Sequence, residues 1–297
     1  MASLETKLPN RSGKGSLWKM TGQTHVVTFI GAGGKTTCVQ AITQEIVSAG
    51  QRVIATTTTK VFPDASMKRW KSSSPPPYEQ QDAFFWYVDV LEDSGKWVGP
   101  PLQAVDEAIA NSNTNTCTCT STRTKVCTCT SLRTAPDLHS DHNKLYWVIE
   151  GDGARGLKLK CWEPHEPQIP KRSDCVVLVL KGGLWGKILL EEQVHRPACC
   201  SELLGQVWDA ETAWCYFLRS PVFDPQYELM SWVILLNCHE KNAENEDLVK
   251  SLVLLEDLRH RWEEIQPDIE DLKYRPSHLR LAAGDAKEGK LQWFDLW

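Results

Sequence analysis

The segment Val26-Val27-Thr28-Phe29-Ile30-Gly31-Ala32-Gly33-Gly34-Lys35-Thr36-Thr37 restricts this chain more than any other. Its apolar, β-branched start predicts a buried strand, and the glycines end that strand abruptly. Val39, Ile42 and Ile46 then recur on one helical face, with Gly50 where a helix C-cap belongs. A strand that feeds a helix through a glycine turn ending in Lys-Thr-Thr has the parts of a phosphate-binding loop. Glycine N–H groups turn inward around phosphate oxygens, and the helix start adds partial positive charge. Lys35 reaches the outer phosphates, and a threonine hydroxyl ligates Mg²⁺. Gly31, Gly33, Gly34, Lys35, Thr36 and Thr37 are therefore the expected binding residues for ATP or GTP with Mg²⁺.

The spacing is contracted relative to G-x-x-x-x-G-K-[ST], whose first glycine would fall at Phe29. It resembles the G-x-x-G-K-T-T loop of Mur-type amide ligases. Arg52 to Ala55 reads as a second buried strand running into Thr56-Thr57-Thr58-Thr59-Lys60. The carboxyl ends of parallel strands border the ligand crevice, so Thr57 and Thr58 are expected beside the phosphates and Lys60 near them. Local turn bonding by those hydroxyls is the competing reading. A further strand, Leu145 to Ile149, ends in Glu150-Gly151-Asp152-Gly153-Ala154-Arg155-Gly156. An acid at that place in NTPases orients Mg²⁺ or its water. Lys35, Asp152 and Glu150 are thus the candidate catalytic residues, with Thr36 and Asp152 as the metal pair. Arg155 and Arg196 are candidate anion clamps, Arg155 on the nucleotide, and His165 and Glu166 candidates to orient substrate or water.

Strands proposed at 83–90, 175–180, 232–236 and 279–283 alternate with helices at 102–110 and 246–266. That alternation predicts a three-layer α/β fold with a mostly parallel sheet. Residues 1–20 read as a flexible tail, 69–82 as an exposed loop, and 21–297 as one P-loop NTPase-like domain. A disordered Cys/Thr-rich insertion is expected at 111–140. It holds the near-repeat Cys117-Thr118-Cys119-Thr120-Ser121 and Cys127-Thr128-Cys129-Thr130-Ser131. Two Cys-x-Cys pairs are a possible soft-metal site, but no apolar pattern, turn glycine or histidine accompanies them, which favours a solvated low-complexity segment.

The 297 residues carry a net charge of −5, which gives no general basic field and speaks against nucleic acid. Neither a signal-peptide core nor a span of membrane length is visible, so a cytoplasmic location without membrane contact is expected. The odd count of 11 cysteines, with Cys38, Cys175, Cys215 and Cys238 in apolar segments, speaks against a disulfide framework.

Several motifs then occur in order: the glycine loop; Thr56-Thr57-Thr58-Thr59-Lys60-Val61-Phe62-Pro63; Glu150-Gly151-Asp152-Gly153-Ala154-Arg155-Gly156-Leu157; His165-Glu166-Pro167-Gln168-Ile169-Pro170; and Val194-His195-Arg196-Pro197. The set resembles the YqeC family, whose strand-end motif usually has alanine where Gly151 stands here. The resemblance implies a P-loop NTPase fold and an accessory role in the maturation or cofactor handling of a selenium-dependent molybdenum hydroxylase, with that enzyme or its cofactor-assembly proteins as partners. An ATP-dependent ligase or phosphoryl transferase acting on a small acid is the alternative that the contracted loop offers. A non-catalytic metallochaperone is the alternative that the Cys-x-Cys pairs offer.

Overall fold

The computed structural model describes residues 12–77, 82–114, 144–238, 246–270 and 274–297. The chain opens with β1 (Ser12–Gly15), a one-turn helix α1 (Leu17–Met20), β2 (Val26–Gly31), α2 (Lys35–Ser48) and β3 (Arg52–Thr57). Next come β4 (Lys60–Val61), β5 (Lys68–Lys71), β6 (Ala83–Tyr87), β7 (Asp89–Val90), β8 (Trp97–Val98) and α3 (Leu102–Thr114). β9 (Leu145–Glu150), β10 (Leu159–Lys160), β11 (Cys175–Lys181) and β12 (Val194–His195) follow. The chain closes with α4 (Ala210–Leu218), β13 (Ser231–Asn237), α5 (Glu246–Glu270), β14 (His278–Asp285) and β15 (Lys290–Asp295).

One 10-stranded sheet carries the fold, in the order β1-β15-β14-β13-β11-β2-β9-β3-β6-β5. It is parallel from β14 to β5, and only β15 and β1 run antiparallel. Side chains alternate across it, so each interior strand supplies both outer layers. Val176, Leu178 and Leu180 of β11 face α4 and α5, whereas Cys175, Val177 and Val179 face the layer of α1 and α2. Val26, Ile54 and Trp147 pack with Val105 and Ile109 of α3. This is a three-layer α/β architecture.

The departures from the sequence reading lie at the edges. Residues 12–20 are not a loose tail. Ser12–Gly15 pairs with the open edge of β15, and Glu45 of α2 accepts from the N–H groups of Leu17 and Trp18 at 3.1 and 2.9 Å. Leu17 and Met20 are fully buried, worth roughly 1.5–3 kcal/mol each. Lys68–Lys71, which overlaps the start of the loop expected at 69–82, forms an edge strand on β6. Three of its four residues are cationic, which suits an edge and hides it from pattern reading. Helix α3 runs into the proposed insertion as far as Thr114, and the rest of that insertion lies outside the described residues. β15 was not anticipated.

Candidate functional site

The chain changes direction across the sheet at β2: β3 and β6 lie on one side of it, β11, β13 and β14 on the other. Such a switch point leaves a crevice at the carboxyl ends of the strands. The glycine loop fills its floor. Gly31, Gly33 and Gly34 have φ of 93°, 106° and 110°, where a side chain is strained. Packing adds a second requirement. A Cβ on Gly33 would stand 2.3 Å from the Lys181 amide, and one on Gly31 would stand 2.6 Å from the Val179 carbonyl. The loop lies flat against β11, fixed by the Ala32 N–H donating to Val179 at 2.8 Å. Asn237, at the end of β13, donates to the Gly33 carbonyl at 3.1 Å and so braces the loop from the side. Its contact partner is 204 residues away, so the sequence carries no local signal of this role.

Behind the loop runs a chain of alternating charges. Lys35, 5% exposed, donates to the Gly31 carbonyl and pairs with Asp152 at 3.2 Å. Asp152 also accepts from the Gly31 N–H at 3.0 Å and from the Trp162 indole at 2.9 Å, and it meets Lys160 at 3.4 Å. Lys160 has no solvent exposure and donates onward to Glu166 at 3.2 Å and to the Gly153 carbonyl at 2.8 Å. Arg196 closes the series on Glu166 at 2.7 Å and on Glu163. An isolated buried charge costs several kcal/mol, so these groups persist only because each is answered by the next. Burial pushes the Glu166 carboxyl up, but Lys160 and Arg196 outweigh it and hold the group below its ordinary value. Lys160 and Trp162 were not anticipated. A Lys-Cys-Trp step after a glycine turn carries no pattern, and only the fold turns it toward Asp152.

Glu150 ends β9 on the other side of the loop. It is 8% exposed and accepts from the Thr36 hydroxyl at 3.0 Å. Its pKa is raised, by burial first, against the opposing pull of Lys35 and the Thr36 hydrogen bond. The pair that converges on the start of α2 is therefore Thr36 and Glu150, rather than the expected Thr36 and Asp152. Asp152 is enclosed by donors that the protein itself supplies. Thr57 and Thr58 also depart from expectation. Their hydroxyls donate to the Glu150 and Gln168 carbonyls at 2.9 and 2.8 Å, so Thr57 braces the end of β9, Thr58 braces the segment at Gln168, and neither lines the crevice. Thr59 and Lys60 line it instead.

The crevice is a cavity of about 1020 Å³. The loop residues Gly33 to Thr37 and Glu150 form one side. Lys60, Lys96, Arg155, His195 and Arg196 supply a cationic wall from outside the loop. His195 is held below its ordinary pKa by burial, then by the charges of Lys160 and Arg196. His165 lies elsewhere, exposed beside Glu163, while Glu166 of the same motif reaches the cavity wall. Among the described residues no group of three or more His, Cys, Asp or Glu is placed to hold a metal. Cys117, Cys119, Cys127 and Cys129 lie outside the described residues. Cys38, Cys175, Cys215 and Cys238 form no disulfide, but Cys161 and Cys200 do, contrary to expectation. The parallel pairing of β10 with β12 draws their two exits together, which spacing alone did not reveal.

Fold and site together define a three-layer α/β protein with a braced glycine loop under a basic cavity. A family model described as YqeC protein matches residues 27–198, more than half of the chain, and the chain belongs to that family. The uncharacterized protein YqeC of Escherichia coli strain K12 is 27% identical over 190 residues, which are 62% of this chain and 62% of that protein's length. No solved structure matches. No helix among the described residues is long and apolar enough to cross a membrane.

Proposed function

We propose that this protein binds ATP or GTP with Mg²⁺ at the glycine loop and hydrolyses it. The observation that carries the reading is the convergence of Lys35, the Thr36 hydroxyl and the Glu150 carboxylate at the start of α2, over a loop that only glycine fits. Loop amides and the Lys35 ammonium hold the phosphates. Mg²⁺ dehydrates reluctantly and is typically held by one or two protein oxygens plus substrate phosphates, so Thr36 and Glu150 fit it without a larger cluster. Bound there, the metal supplies charge neutralisation at the terminal phosphates. Lys35 has a partner to leave: phosphate oxygens compete for it with Asp152. Asp152 keeps Lys160, Trp162 and the Gly31 N–H when Lys35 turns to the nucleotide.

In the cell, we infer, this nucleotide cycle serves maturation or cofactor handling of a molybdenum hydroxylase, in keeping with the family resemblance. Two measurements test the proposal. ATP or GTP with Mg²⁺ is expected to raise the melting temperature of the wild type and leave Lys35→Ala unmoved; equal stabilisation of both would remove the phosphate-loop assignment. Loss of the protein is expected to lower the activity of a molybdenum hydroxylase at unchanged polypeptide level, without rescue by Lys35→Ala. A host in which that activity is unaltered would turn the reading to the second one, an ATP-dependent ligase or phosphoryl transferase on a small acid. The cationic far wall of the cavity favours that alternative.

A further inference from the structure

The far wall of the cavity is built for charge that the protein does not supply. Among the described residues Lys60 and Arg155 have no carboxylate partner, and Lys96 lies over the Phe62 ring at 4.6 Å. Arg196 beside them is already answered by Glu163 and Glu166. The backbone is committed as well. Arg155 and Arg196 hold φ of 50° and 61°, left-handed conformations that cost a non-glycine residue on the order of 1–2 kcal/mol each. Of the three positive-φ non-glycine residues described, these two line the one cavity. Cations left without a carboxylate partner, in a concave site whose lining acids Glu150 and Glu166 are already engaged by Thr36 and by Lys160 and Arg196, mark an anion subsite.

This wall is physically joined to the glycine loop. The sequence Arg196, Glu166, Lys160, Asp152, Lys35 is unbroken at 2.7, 3.2, 3.4 and 3.2 Å. The cavity volume of about 1020 Å³ stands at the upper end of ordinary small-molecule sites. His195, which also lines the cavity, is kept toward its neutral form, a donor or acceptor rather than a further cation.

We propose that the wall of Lys60, Lys96, Arg155 and His195 is a second subsite, which takes a small substrate carrying a carboxylate or phosphate group while the glycine loop holds the nucleotide. The proposal rests on the nucleotide reading above and specifies its co-substrate. Arg155 supplies the planar fork that fits either oxyanion, and Lys60 and Lys96 supply point charge.

The test is calorimetric. Protein saturated with Mg²⁺ and the non-hydrolysable analogue β,γ-imido-ATP is titrated with inorganic phosphate and, separately, with malonate. The analogue fills the loop, so a further anion has only the far wall to occupy. One equivalent of at least one anion is expected to bind saturably, and the preferred anion identifies the substrate's charged group. Arg155→Ala is expected to weaken that binding at least 10-fold while the analogue's affinity changes less than 2-fold, and Arg155→Lys to recover part of the loss. Absence of saturable binding for both anions overturns the subsite. So does an Arg155→Ala variant that loses the analogue as strongly as the anion, since Arg155 then belongs to the nucleotide. If the wild type fails to bind the analogue at all, the glycine-loop reading fails first and takes the proposal with it.

Discussion

Lys160→Met tests the charge relay most directly. The side chain has no solvent exposure, and Met replaces its length without its ammonium. The change removes a cation 3.4 Å from Asp152 and 3.2 Å from Glu166, and it leaves the Gly153 carbonyl without its donor. Breaking a buried pair from one side costs about 3–5 kcal/mol. Asp152 retains Lys35, the Gly31 N–H and the Trp162 indole, and Glu166 retains Arg196, so the lower end applies, about 3 kcal/mol. At about 1.6 °C per kcal/mol, from an unfolding entropy of about 2.1 cal/mol/K per residue over 297 residues, the melting temperature should fall by about 5 °C. Urea titration followed by tryptophan fluorescence, with Asp152→Asn and the double variant, completes a thermodynamic cycle. Asp152→Asn alone leaves Lys35 and Lys160 facing each other without the intervening charge. The double variant is therefore expected to cost less than the sum of the singles, with a coupling of about 0.5–3 kcal/mol. A Lys160→Met protein within about 0.5 kcal/mol of wild type, the range of an ordinary surface change, would refute the reasoning. Additivity in the cycle would refute it equally.

Three further outcomes are expected. Glu150 carries a raised pKa, so the folded protein keeps a proton that the unfolded chain releases above the ordinary value of 4.5; stability therefore falls as pH rises through the folded-state pKa. Glu150→Gln removes that loss, so denaturation profiles should show the variant gaining on wild type as pH rises while its Mg²⁺-dependent turnover disappears; parallel profiles would contradict the assignment. Gly33→Ala forces a methyl to within 2.3 Å of the β11 backbone at a φ of 106°, which should cost about 1–3 kcal/mol and abolish nucleotide-induced stabilisation. A variant that melts and binds like wild type would show that the loop does not need β11. Replacing both Cys161 and Cys200 by Ser opens a cross-link that spans 39 residues and should cost about 4 kcal/mol by loop entropy, while Cys199→Ser should be neutral. Equal melts under oxidising and reducing conditions would count against the disulfide.

The sequence alone determined the frame of this protein. Strands such as Cys175–Lys181 and Ser231–Asn237 are buried on both faces, so they read as continuous apolar runs. Glycine followed by Lys-Thr-Thr is local chemistry, so the turn from β2 into α2 is legible from neighbours in the chain, although the strands that brace it are not. Tertiary structure decided whatever depends on pairing across distance. The edge strand Ser12–Gly15 exists because β15, whose paired residues lie 276 or more positions later in the chain, leaves an edge open to it. Thr57 and Thr58 turn away from the cavity because the carbonyls of Glu150 and Gln168 accept their hydroxyls, a competition that no run of threonines can reveal. Between Glu150 and Asp152, two acids separated by one glycine, the fold made the choice. It set Glu150 against Thr36 and enclosed Asp152 between Lys35 and Lys160. Periodicity reports which face a residue takes. Which partner waits on that face is set by the order in which strands enter the sheet, and that order is a property of the whole chain.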